Sequence, residues 1–279
     1  MTAWQSGELE ANGIRLHYTR TGGDKPPLVL AHGVTDDGLC WSPVAAALAS
    51  EVDVIMVDAR GHGRSEAPER GYGPRDQADD LAGLIAALRL NRPAVLGHSM
   101  GAATALVLAG AYPHLPGAIL LEDPPAWWTD WYDTPDGVER RAQMRAGFIA
   151  LKRKTREELL ADKRAEEPGW SDEELCCWAD AKQRFSPDVL EVVGRDNPLG
   201  VDWPTILPRI TCPALLITAD PELGAIVTEE SAASLKSLVP QLDMAHIPGA
   251  GHSIRRDRFG RYMAVVREFL AESRSDVVV

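Results

Sequence analysis

The sequence predicts an α/β sandwich, with a mostly parallel central sheet flanked by helices and a helical segment inserted late in the chain. Three observations predict it. Short apolar runs alternate with helical patterns, the alternation stops between about residues 124 and 208, and 279 residues suit one large domain carrying an insertion. Runs this apolar fit strands covered on both faces, as in a parallel sheet joined by right-handed crossovers.

The first element reads as a hairpin. Leu9–Ala11 and Ile14–Tyr18 flank Asn12-Gly13, a dipeptide suited to a type I′ turn. Strand-like runs follow at Leu28–Ala31, Val52–Val57, Ala94–Leu96, Ala118–Leu121, Ala214–Thr218 and Leu242–Ile247. Helical patterns lie at Trp41–Ala49, Asp76–Leu90, Met100–Ala111 and Thr228–Leu238, and a last helix is expected over Ile254–Phe269. Residues 1–123 and 209–279 are thus expected to form the core domain, and 124–208 a helical cap. The cap stretch holds Trp127, Trp128, Trp131, Trp170, Trp178 and Trp203 and is bounded by prolines. These tryptophans can build the cap's own core, wall a substrate pocket, or do both. Trp127, Trp128 and Trp131 follow the sixth strand most closely and are the pocket candidates.

Composition removes several function classes. The chain is 45% hydrophobic and 25% charged, which is ordinary globular usage. Its net charge of −12 disfavours nucleic acid and anionic membrane surfaces as partners. The expected partner is a small-molecule substrate, with the chain a monomer or homodimer. Cys40, Cys176, Cys177 and Cys212 form no CxxC pair or Cys/His cluster, so no metal site is expected and a reducing, cytoplasmic setting fits. No phosphate loop, dinucleotide glycine pattern or haem motif appears, and no cofactor is expected. The opening MTAWQSGELEANG lacks the features of a secretory leader, and no apolar run is long enough to span a membrane.

Chemistry concentrates at Gly97-His98-Ser99-Met100-Gly101, a G-x-S-x-G between a strand pattern and a helical pattern. A sharp strand-to-helix turn there would lift the Ser99 hydroxyl above the sheet and set the first helical N–H groups beside it. A serine needs a base within reach. Of seven histidines, His252 in Pro248–His252 is favoured, because a Gly-rich loop after the last strand lies at the sheet's carboxyl edge. His246 reads as a packed strand residue. His32-Gly33-Val34 directly follows the third strand, so the amides of Val34 and Met100 are the expected oxyanion donors, with His32, Gly33 and His98 at the pocket. Asp58–Ser65 reads as a structural loop. The carboxylate that orients His252 is ambiguous. Asp220 ranks first, as the first carboxylate beyond Ala214–Thr218; Glu222 is next, then Glu122 and Asp123 after the sixth strand.

Taken together, His32-Gly33, Asp58–Ser65, the Gly97–Gly101 elbow and Gly251-His252 resemble the α/β-hydrolase superfamily in order and spacing, over about residues 8 to 272. The resemblance implies an α/β-hydrolase fold with Ser99 as nucleophile, His252 as base, and Val34 and Met100 as oxyanion donors. The acid loop departs from the family's usual G-x-x-D: Ala219 stands at the glycine and Glu222 three residues later. Some relatives take the acid from the sixth strand's end, which keeps Glu122 in play. Relatives that open epoxides carry aspartate where this chain has Ser99, so the resemblance implies a serine hydrolase: a carboxylesterase- or lactonase-like enzyme cleaving an ester, lactone or related acyl bond of a small, apolar or aromatic substrate. Two alternatives stand beside it. The same triad could serve C–C bond hydrolysis or perhydrolysis, or the fold could be a non-catalytic receptor.

Overall fold

The computed structural model describes residues 4–194 and 200–275. The hairpin forms as expected: β1 (Gln5–Ala11) pairs antiparallel with β2 (Ile14–Arg20), and both turn residues, Asn12 and Gly13, take positive φ. Then follow β3 (Pro27–Ala31), β4 (Asp53–Val57), β5 (Ala94–His98), β6 (Ala118–Glu122), β7 (Ala214–Thr218) and β8 (Leu242–His246). The sheet order is β1-β2-β4-β3-β5-β6-β7-β8. β2 pairs antiparallel with β4, and all pairs from β4 to β8 are parallel.

Alternate strand residues face opposite sides, because successive side chains of a strand point to opposite faces. Val29, Ile55, Val95, Ile119 and Leu216 pack in one apolar cluster together with α2 (Pro74–Ala87), α3 (Met100–Ala111) and α7 (Glu229–Leu238). Leu28, Leu30, Val54, Met56, Leu96 and Leu120 pack in another, against α1 (Ser42–Leu48) and α8 (Phe259–Ser275). This is a three-layer sandwich. The expected final helix breaks at Arg258, leaving a short turn Ile254–Asp257 ahead of α8.

Between β6 and β7 the described residues form helices and no strand. The main ones are α4 (Pro135–Arg153), α5 (Arg156–Glu166) and α6 (Asp172–Arg184). Trp170 and Trp178 join Leu159, Leu175 and Ala179 in a small core of this segment. Trp127, Trp128 and Trp203 instead belong to the main cluster under α3. All four cysteines are free. No described helix is long and apolar enough to cross a membrane.

Candidate active site

The G-x-S-x-G motif forms the turn between β5 and α3. Ser99 sits at φ 52, ψ −116, a region that non-glycine residues seldom occupy. The flanking glycines are required by contact. A Cβ on Gly97 would lie 2.2 Å from the Gly101 carbonyl oxygen, and one on Gly101 would lie 2.2 Å from that of Ala31. The turn is pinned by the Ser99 amide donating to the Glu122 carbonyl at 2.9 Å.

His252 follows β8, and its Nδ1 lies 2.6 Å from Oδ2 of Asp123. Asp123 is fully buried, just beyond β6, and also has positive φ. Its carboxylate accepts the Ile226 amide at 2.8 Å and the Val227 amide at 2.9 Å. These contacts use the carboxylate's acceptor sites and fix its plane. The residue facing His252 is therefore Asp123, not the first-ranked Asp220. Asp220 accepts from the Gly249 amide at 2.6 Å and lies 2.9 Å from Nε2 of His246. It braces the loop that carries His252, so the two adjacent strand ends divide the work between them. His246 is half exposed rather than packed in the core, because β8 is the edge strand of the sheet. Glu222 is exposed in the turn Pro221–Leu223 and makes no contact with His252. Glu122 is buried but turns to the opposite side from Asp123. It accepts the Arg255 amide at 2.9 Å, the Arg255 guanidinium at 3.2 Å and the Tyr262 hydroxyl at 3.2 Å.

The loop after β3 brings Gly33 against the elbow: a Cβ there would lie 3.5 Å from that of Ser99 and 2.9 Å from Nδ1 of His98. Among the described residues, neither the Val34 nor the Met100 amide donates to a protein acceptor. His32 does not line the cavity. Its Nδ1 lies 2.8 Å from the Gly33 carbonyl and its Nε2 accepts the Ala59 amide at 3.0 Å, so it buttresses the loop from behind. Asp58–Ser65 performs the same kind of work. Asp58 accepts from Gly38 and Arg64 amides, and Arg60 is committed to Asp80 at 2.6 Å.

His98 is buried beside His252, with ring centroids 4.7 Å apart, and its Nε2 lies 2.9 Å from the His252 carbonyl oxygen. Burial, with the nearby Arg255 charge, holds the His98 imidazole well below its usual range, so it is neutral and donates Nε2–H to that carbonyl. A second charged cluster ties the site together. Asp36, two residues after Val34, accepts Lys182 of α6 at 2.8 Å, Arg255 at 3.2 Å and Arg256 at 2.9 Å. Arg256 also reaches Glu174 of α6 at 3.0 Å. Burial pushes the Asp36 carboxyl up, but Arg256, Lys182 and Arg255 outweigh it and leave it well below the usual range. Sequence reading missed this cluster. Adjacent Arg255-Arg256, after the loop that carries His252, was its one visible trace.

Ser99, His98, His252, Gly33, Val34 and Met100 line a single cavity of about 1110 Å³ beneath the helical segment. Trp127 and Trp128 line it too, and Trp128 donates its indole N–H to the Ser231 carbonyl at 3.0 Å. Trp178 is a wall residue that sequence reading had not placed there. The side chain of Trp131 lies outside the described residues.

Comparison with known proteins identifies the family. The sequence model of the α/β hydrolase family matches residues 28–265. An N-formylmaleamate deformylase of Pseudomonas putida is 32% identical over 270 residues, covering 95% of this chain and 96% of that protein. A 2-(acetamidomethylene)succinate hydrolase of Mesorhizobium japonicum is 28% identical, covering 84% of each. The crystal structure of an E-2-(acetamidomethylene)succinate hydrolase superposes with a TM-score of 0.82 at 23% identity, over 96% of this chain and 100% of that one. The strand order, the strained serine turn and these matches together mean that the chain belongs to the α/β hydrolase family and is a hydrolase.

Proposed function

We propose that the protein hydrolyses an acyl bond of a small substrate, an ester, lactone or related amide, through an acyl-enzyme on Ser99, with residues 124–208 acting as the cap over the pocket. The observation that carries this reading is the 2.6 Å contact between Nδ1 of His252 and the buried Asp123, behind the cavity that His252 and Ser99 both line. With Nδ1–H given to Asp123, the imidazole presents an unprotonated Nε2, the tautomer a general base requires. Ser99 Oγ attacks the carbonyl carbon while His252 Nε2 takes its proton. The oxygen that becomes negative meets the amides of Val34 and Met100. His252 then protonates the leaving group, which departs to leave the acyl-enzyme. Water attacks that ester with His252 again as base, releasing the acid and restoring Ser99.

The reading extends from esters and lactones to amides because two relatives are named for amide-bearing substrates. A fluorophosphonate probe tests the nucleophile. The wild type should label once per chain and lose its esterase activity in step; Ser99→Ala should neither label nor turn over while melting normally. Labelling at another residue, or turnover retained in Ser99→Ala, would refute the proposal. C–C bond hydrolysis and perhydrolysis need the same Ser99 and His252, so parallel assays on short esters, lactones and β-diketones separate them.

A further inference from the structure

The strand register puts one carboxylate residue behind the whole site. Glu122 ends β6 and pairs with His98 of β5. Its backbone carbonyl accepts the Ser99 amide at 2.9 Å, and the residue after it, Asp123, meets His252. Its side chain grips the turn that follows His252: Oε1 accepts the Arg255 amide at 2.9 Å, and Oε2 accepts one arm of the Arg255 guanidinium at 3.2 Å. The other arm of that guanidinium donates to Asp36 Oδ2 at 3.2 Å. Asp36 closes a tight turn over Val34, its amide donating to the Gly33 carbonyl at 3.0 Å. One side chain thus joins the end of β6, the segment after His252 and the loop after β3. Arg255 is fully buried, and its guanidinium carbon lies 4.2 Å from the centroid of the Trp41 ring. It does not line the cavity, whereas its neighbour Arg256 does. Burying a guanidinium is costly unless its partners hold it well. Here two carboxylates and a ring face fix the plane of the fork. An ammonium is a single point of charge and cannot span the same two carboxylates in one plane.

We propose that Arg255 is a positioning residue for the hydrolytic reaction: its two-armed hold on Glu122 and Asp36 sets the spacing between Asp123, His252 and the Val34 amide. This deepens the acyl-hydrolase reading and rests on it for the chemistry, but not for the alignment of His252 on Asp123. Arg255 touches neither substrate nor reacting atoms. It acts through Glu122, whose backbone runs into Asp123, and through Asp36, whose turn carries Val34. Charge alone does not suffice for this role, because the fork must reach both carboxylates at once.

The test compares Arg255→Lys, which keeps the charge and loses the fork, with Arg20→Lys. The control breaks a pair of the same kind, Arg20 with Asp53, at the opposite end of the strands. In steady-state turnover of a short ester, Arg255→Lys should lower kcat on the order of 100-fold, the effect of misplacing reacting groups by about 1 Å, with KM nearly unchanged. Arg20→Lys should keep both constants, whatever it loses in melting temperature. Proton NMR of the resting protein reads the alignment without turnover. The downfield resonance of His252 Nδ1–H, produced by its contact with Asp123, should broaden or move upfield in Arg255→Lys and stay in place in Arg20→Lys. A folded Arg255→Lys protein that keeps either the parent's kcat or the parent's resonance would overturn the proposal. Should Arg255→Lys fail to fold, Glu122→Gln, which sets an amide NH2 among the donors that Glu122 now accepts, takes its place in both measurements with the same expected and contrary results. Failure of Ser99 to label would sink the acyl-enzyme reading and leave the NMR result unaffected.

Discussion

Exchanging Asp123 for asparagine probes the site at its least visible residue. One carboxylate oxygen, Oδ2, meets His252 Nδ1 at 2.6 Å and the Ile226 amide at 2.8 Å; the other, Oδ1, takes the Val227 amide at 2.9 Å. All three partners are donors. An asparagine has one acceptor oxygen, so its NH2 must face donors on one side. Turned toward His252, it forces the proton onto Nε2 and removes the base. Turned toward Val227, it leaves a buried amide unpaired, at a cost of about 1–3 kcal/mol in stability. If His252 is the base of the proposed triad, the tautomer error costs about four orders of magnitude in kcat, equivalent to about 5.4 kcal/mol of barrier. The matched control is Asp220→Asn, which loosens the Gly249 and His246 contacts and should cost less than about tenfold. Steady-state turnover of a short ester, with melting curves to verify folding, reads both. A collapse in Asp220→Asn alongside a nearly active Asp123→Asn would refute the assignment.

Further outcomes follow from the same geometry. Gly101→Ala should destabilise the protein by more than about 3 kcal/mol, because its Cβ would meet the Ala31 carbonyl oxygen at 2.2 Å and neither backbone can yield cheaply; chemical denaturation measures it. His98 is held neutral by burial, while in the unfolded chain it protonates below its ordinary value of 6.5. The unfolded state therefore binds more protons below that pH, and stability falls as pH drops, by up to about 1.4 kcal/mol per pH unit for this one group. His98→Asn should flatten the wild-type decline between about pH 6.5 and 5; an unchanged slope would mean that His98 is not held neutral. Lys182→Met should destabilise by roughly 1–3 kcal/mol, less than breaking an isolated buried pair, since Asp36 keeps both Arg255 and Arg256.

What was legible in the sequence were features governed by local pattern. The strand and helix order of the core follows from apolar periodicity, and Gly97–Gly101 is recognisable because only glycines fit the close approaches around the serine. The position facing His252 was not readable, since it depends on strand register. Glu122 and Ile217 are partners across β6 and β7, so Asp123 lies level with Thr218, and Asp220 follows two residues later where the neighbouring strand ends. Both are the first carboxylates after buried strands, with one contacting His252 and the other His246. The local sequence carries no mark that tells them apart. A positive φ at a non-glycine residue is equally silent, and Asp123 has one. His32 was misassigned for a related reason. It directly follows β3, as a cavity residue would, but its side chain turns back toward Ala59. The ion cluster around Asp36 joins residues from the β3 loop, helix α6 and the segment after β8, separations over which periodicity says nothing.

If acyl transfer passes through the hydroxyl at the β5–α3 turn, an ester released slowly will be caught on it. Stopping a reaction with a slowly released ester during turnover, then weighing the intact chain and mapping its peptides, tests it most directly. One acyl group per chain on the peptide containing Ser99 is the predicted result. Sustained turnover with no covalent adduct, or an adduct carried by a different residue, would contradict it.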